Sequence, residues 1–170
     1  MVEDEKKLEE FQKVLEMQEE ILQFTHFTNA DAWELGSIMV IEAKKRNLPV
    51  SIRIELNNGH CVFQYSADGT TLRNQMWLER KIRTVKLMEK SSLNFYTSMR
   101  KSEKSLEDIG LEEKEYACCG GAFPIRLEEA GVLGTIAVSG MNHVSDHDFI
   151  VKCVGKYLHA DEVPRIHENM

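Results

Sequence analysis

The 170-residue sequence predicts an α+β fold, with helices packed on a mainly antiparallel sheet. Three observations lead there. Residues 50–56, VSIRIEL, alternate strictly. Val50, Ile52, Ile54 and Leu56 take one side and Ser51, Arg53 and Glu55 the other, as in a half-buried strand. A second strand pair, YACCGGAFPIRL and VLGTIAVSG, flanks the turn Glu128-Glu129-Ala130-Gly131. Between the two hairpins, Leu78, Ile82, Val85, Met88, Ser92, Phe95 and Met99 step by threes and fours, which marks one helical face.

The elements follow in order. Residues 4–23 place Leu8, Phe11, Leu15 and Leu22 on a helical stripe beside Val14 and Ile21. Eight acidic residues against three basic give residues 1–22 a net charge of −5. Thr28 or Asn29 suits the cap of a second helix, with Asp31 in its first turn. Lys44, Lys45 and Arg46 suit its C-terminal end, and Pro49 stops it. Asn58-Gly59 after the alternating strand predicts a type I′ hairpin turn, from which HCVFQYS returns. Asp68-Gly69 ends that hairpin. A long helix is expected from about Thr71 to Met99, with a break near Ser91 and Ser92. A short helix and a loop are expected over 102–115. Pro124 cannot donate to a ladder, so its strand is an edge or irregular. Ser145 and Asp148 read as an S-x-x-D cap, starting a last helix that runs to about Leu158.

Composition narrows the class. The chain is expected to form one domain over residues 1–170. Its formal net charge of −7 argues for solubility and against nonspecific nucleic-acid binding. The charged start predicts no signal peptide, and no apolar run is long enough to span a membrane. A cytoplasmic location follows as the expectation. Cys61, Cys118, Cys119 and Cys153 read as reduced thiols, without CxxC spacing for a metal.

Three stretches carry candidate chemistry. Residues 71–104 hold nine of the 21 basic residues against three acidic ones. There Arg73, Trp77, Arg80 or Lys81, and Thr84 share a face opposite the apolar one. A tryptophan among cations can stack on a planar ring while the cations hold carboxylates or phosphates. The same face also reads as solvated surface, or as an interface meeting the acidic N-terminal helix of a neighbouring copy. In NHVSDHD, His143 and His147 stand four apart beside Asp146 and Asp148, a metal-like spacing. Placing the cap at Ser145 leaves His143 outside the helix, and acids are expected at a helix start in any case. Gly120 and Gly121 precede Pro124 and Arg126, while Ser139 and Gly140 end the partner strand. Amides there and at the last helix's N-terminus can hold an anion, or the glycines serve only a bulge and a turn.

In GGAFPIRL followed by GVLGTIAVSG and the downstream Asp148, the chain resembles the haem-degrading domain superfamily. That group includes GlcG-type proteins, haem-binding sensor proteins and the C-terminal domain of PduO-type corrinoid adenosyltransferases. Leu133 and Gly134 match its hydrophobic-Gly step, and Val138, Ser139 and Gly140 its VSG. DGTTLRNQMWLERKIRTVKLMEKSS resembles, more specifically, the uncharacterised bacterial and fungal branch through Asp68, Gly69, Asn74, Trp77, Arg80, Lys81, Ser91 and Ser92. This likeness covers the chain from about residue 20.

The resemblance implies a profilin-like α+β fold, a homo-oligomer and a link to tetrapyrroles, with haem degradation ascribed to some members. Fungal members of the branch look like interaction proteins associated with tail-anchored protein targeting. The expected ligand-binding set is Asn74, Trp77, Arg80, Lys81, Gly120, Gly121, Arg126 and Ser139. Trp77 would stack, and Arg80, Lys81 and Arg126 would hold carboxylates. Haem is the cofactor to test, with His26, His60 and His143 as candidate iron ligands by chemistry alone. The alternative is a non-enzymatic oligomeric scaffold or targeting partner. A metal-dependent enzyme using His143 and His147 ranks last.

Overall fold

A computed structural model describes residues 2–166. The alternating run forms β1 (Ser51–Leu56), which pairs antiparallel with β2 (Cys61–Ser66) on one side and β4 (Gly131–Ser139) on the other. β3 (Ala122–Leu127) pairs with β4 and completes a four-stranded antiparallel sheet of order β2-β1-β4-β3. The two hairpins therefore join through their inner strands. Pro124 sits on the edge strand β3, and the register slips between Ile125 and Arg126. Its missing N–H is tolerated there.

Helices cover both sheet faces. α2 (Asn29–Lys45) and α5 (His143–Tyr157) pack on one face, where Leu35, Met39, Ile52, Ile54, Phe123, Ile136, Phe149 and Val154 form the main core. α3 (Leu72–Met88) packs on the other, setting Leu78, Ile82 and Val85 on Ala122 and Ala137. The polar side of β1 is consequently half-covered rather than open to water. Ser51 is buried and hydrogen-bonds Ser66, and Arg53 pairs with Glu55 at 2.7 Å. At one end, α1 (Val2–Ile21) lies on α4 (Ser92–Lys101), with Phe11 and Leu15 against Leu93.

Local chemistry sets the boundaries. Thr28 caps α2 in a reciprocal box with Asp31, whose Oδ2 accepts from the Thr28 N–H at 2.7 Å. The long helical stretch does break near the serines. Glu89 ends α3 in the left-handed region (φ 54°), and Ser91 caps α4. Glu19 of α1 fixes that break by accepting from the Ser91 N–H at 2.8 Å and from Asn94 Nδ2 at 2.7 Å. The expected continuous apolar face is thus split: Phe95 and Met99 join Leu106 in a separate cluster.

Four expectations are corrected. At Asn58-Gly59 only the glycine takes a positive φ (89°). Leu56 O accepts from the Gly59 N–H at 2.9 Å, so the turn spans 56–59 and ends on the left-handed glycine, and it is not type I′. Residues 102–115 hold only one 3-10 turn, Glu107–Ile109. β3 starts at Ala122 rather than near Tyr116, because α3 takes the backbone before it. Ala117 exchanges two hydrogen bonds with the Thr84 hydroxyl, and Arg83 Nη1 donates to Glu115 O at 3.2 Å. α5 starts at His143, capped by Asn142, whose Oδ1 accepts from the Ser145 N–H at 2.9 Å. Ser145 is therefore not the cap, and Asp148 instead forms a two-pronged pair with Arg165. Among the described residues no helix is long and apolar enough to cross a membrane.

Candidate functional site

A cavity of about 410 Å³ opens where the N-terminal half of α3 faces the junction of β4 and α5. α3 contributes Arg73, Asn74, Trp77 and Lys81; Cys119 comes from the strap before β3. Ser139, Gly140 and Met141 leave β4, and His143 and Asp146 stand in the first turn of α5. The volume falls within the ~300–1,000 Å³ common for small-molecule sites.

A buried ion pair lies at its base. Lys81 is 3% exposed and Asp146 1%. Lys81 Nζ donates to Asp146 Oδ2 at 3.0 Å and to Val138 O at 2.8 Å. Asp146 Oδ1 accepts from the Met141 N–H at 3.0 Å, and the Gly140 amide adds another bond. Burial pushes the Asp146 carboxyl upward, and Lys81 and these donors oppose that shift. One pair thereby ties α3, β4 and α5 together.

The double glycine belongs to this construction. Gly121 has φ 117°, and a Cβ there would lie 2.5 Å from Lys81 Nζ and 2.7 Å from Val138 O. Only glycine lets the chain pass so close to the ammonium. A Cβ on Gly120 would lie 2.5 Å from His143 O, and the Gly120 N–H donates to His143 Nδ1 at 2.9 Å. The ring of His143 stands edge-on to Tyr96, with centroids 4.8 Å apart.

Trp77 forms one wall. The Arg80 guanidinium lies 4.1 Å from its ring centroid. Arg80 also donates to the carbonyl of Glu113 and, at 3.4 Å, to that of Tyr116. It positions the indole and straps residues 113–116 to α3.

The expected ligand set divides accordingly. Asn74, Trp77, Lys81 and Ser139 come together on the cavity, and Asn74 Nδ2 donates to Ser139 O at 3.4 Å. Lys81 and Thr84 do not lie on a solvated face but are buried against the sheet. Lys81 serves Asp146, and Arg80 serves backbone carbonyls and Trp77. Arg126 lies elsewhere: it donates to Glu89 O at 2.6 Å and does not line the cavity. Of the amides proposed for an anion, Gly120 donates to His143, and Gly140 and the adjoining Met141 donate to Asp146. Among the described residues Arg73 is the lining cation left outside such a pair. It was legible as part of the basic face, whereas Met141 carried no signal.

The metal-like spacing also resolves. His143 lies inside α5 rather than before it. His147, four residues on, is fully buried, and its Nε2 bonds Gln18 Oε1 at 2.7 Å. Among the described residues no group of three or more His, Cys, Asp or Glu is arranged to hold a metal ion.

Residues 27–155 match the sequence profile of the family described as haem degrading protein HbpS-like. The chain belongs to this family. A UPF0303 protein of Yersinia pseudotuberculosis serotype O:3 is 35% identical over 138 residues, 81% of this chain and 80% of that protein. The crystal structure of Ybr137w superposes with a TM-score of 0.82 at 29% identity, covering 87% of each chain. A PduOC:haem complex shares the fold at TM-score 0.61 and 13% identity, over 83% of this chain and 99% of that one. The matched span contains both sequence motifs, and the α+β architecture is shared with these structures.

Haem is the group this family name raises, and the cavity fits it only in part. Trp77 offers a surface on which a planar ring would stack, and Arg73 a cation for a carboxylate. An iron ligand is harder to find. The Gly120 N–H can only donate, so His143 Nδ1 must be unprotonated and the ring proton sits on Nε2. His26 bonds Asp31 at the cap of α2, and His60 stands in the β1–β2 turn; neither lines the cavity. Burial pushes the Cys119 thiol upward, away from thiolate, and Met141 packs on the main core. The residues present fit a carboxylated planar ring and do not fit a histidine-ligated iron.

Proposed function

We propose that this HbpS-like protein binds a planar, carboxylate-bearing ring of the tetrapyrrole class in the cavity beside Trp77. The carrying observation is Trp77, which lines the cavity with the Arg80 guanidinium 4.1 Å from its ring centroid. A ring can stack against the indole, with one carboxylate on Arg73. Asn74 and the Nε2–H of His143 supply neutral polar contacts. Lys81, Asp146, Gly120 and Gly121 build the floor, and Ser139 closes its edge. The haem in the PduOC complex is consistent with such a ligand on this fold. Turnover is no part of this reading. The protein would act as a soluble cytoplasmic homo-oligomer. The test is a titration of tag-free protein with protoporphyrin IX. Trp77→Ala with Arg73→Ala should weaken binding at least about tenfold. Unchanged affinity would remove the site.

A second reading, an oligomeric interaction protein without catalysis, is favoured by a different observation. Leu72 and Met76, one turn apart on α3, are 76% and 61% exposed. Apolar side chains so placed suit burial by another protein surface.

A further inference from the structure

We infer that the cavity takes its ring ligand without an imidazole–iron bond, and that His143 serves instead as a hydrogen-bond donor through its Nε2–H. The ligand class is then a carboxylated macrocycle whose metal is dispensable. This rests on the binding reading above and sharpens it.

Gly120 fixes the tautomer of His143. Its buried N–H points at His143 Nδ1 over 2.9 Å, and an amide hydrogen needs a lone pair. A metal-bound imidazole has the opposite arrangement, with its remote nitrogen donating to a carbonyl or carboxylate and the near one free for the metal. Here Nδ1 accepts, so Nε2 keeps the proton and has no lone pair to offer. Rotating the ring would strand the Gly120 amide in a buried place. Tyr96, edge-on at 80°, packs against the ring in its present orientation. Burial lowers the basicity of His143, with Lys81 reinforcing the effect, so the ring stays neutral. Among the described residues Nε2 has no protein acceptor, which leaves its hydrogen for a ligand oxygen. Other side chains that could ligate a metal are engaged: Asp146 accepts from Lys81, and Met141 packs on the main core.

The test compares ferric protoporphyrin with metal-free protoporphyrin on full-length, tag-free protein, followed by tryptophan quenching and absorption. The two dissociation constants should agree within about threefold. His143→Asn keeps an acceptor for the Gly120 amide but loses the Nε2–H. It should weaken both ligands alike, by about fivefold, and leave the spectrum of bound ferric porphyrin unchanged. Ferric porphyrin binding more than about tenfold tighter than the metal-free form, with a low-spin spectrum lost in His143→Asn, would overturn this inference alone. Saturable binding of neither porphyrin would overturn the binding reading and this inference with it.

Discussion

Lys81→Met removes the cation from a carboxylate that is 1% exposed. Asp146 would keep the Met141 and Gly140 amides but lose its ion-pair partner Lys81, and Val138 O would lose a donor. Breaking a buried pair from one side costs about 3–5 kcal/mol, because a charge is left desolvated and uncompensated. Asp146→Asn leaves the buried Lys81 ammonium without its counter-charge and should cost a similar amount, although an amide oxygen can still accept from Met141. The double variant Lys81→Met/Asp146→Asn should be more stable than the sum of its parts, with a coupling of at least about 1 kcal/mol. Urea unfolding reads all four proteins. The pH dependence has a defined sign. Without Lys81, the Asp146 carboxyl, already raised by burial, moves further above its unfolded value. A group raised on folding contributes stability below its unfolded pKa and loses it as pH rises through the folded value. The deficit of Lys81→Met should therefore shrink as the pH falls toward about 4. Single variants costing less than about 1 kcal/mol, and adding without coupling, would refute the claim that this pair holds the cavity floor.

Two further outcomes are expected. Burial pushes His147 down to about 4 from 6.5. Its neutral form stabilises the fold above about 6.5, and that contribution of roughly 3 kcal/mol is lost as pH falls through 4. His147→Gln, which keeps a donor for Gln18, should lose less stability between about pH 7 and pH 4. Comparison with the variant separates this from Glu19 and Asp146, whose raised carboxyls act in the opposite sense. Equal slopes for both proteins would contradict it. For the interaction reading, Leu72→Glu with Met76→Glu should dissociate an oligomer seen by light scattering; an unchanged mass would place the contact elsewhere.

The parts legible in the sequence are those governed by neighbouring residues. The period of Val50–Leu56 reveals β1, and Thr28 with Asp31 reveals the start of α2. Pro124 marks an edge strand because a missing N–H is a local fact. The start of α5 is ambiguous in the sequence because Asn142 and Ser145 share the same capping chemistry. Asp146 N bonds Asn142 O at 2.9 Å, which moves the first turn back by three residues. The candidate site was half legible. Trp77 and Asn74 announce themselves on a basic helix. The pairing of Lys81 with Asp146, 65 residues apart, has no local signal, and without it Lys81 looks like a free cation. Arg80 deceives likewise, because its partners are backbone carbonyls that carry no sequence code.

The central claim is that a planar ring docks against Trp77. The chain has two tryptophans, and Trp33 is 67% exposed on α2. In Trp33→Phe the remaining indole emission comes from Trp77 alone. Titration with metal-free protoporphyrin IX should quench that emission saturably, at one ligand per site. A linear, unsaturable response, equal in a Trp33→Phe/Arg73→Ala variant, would contradict the account.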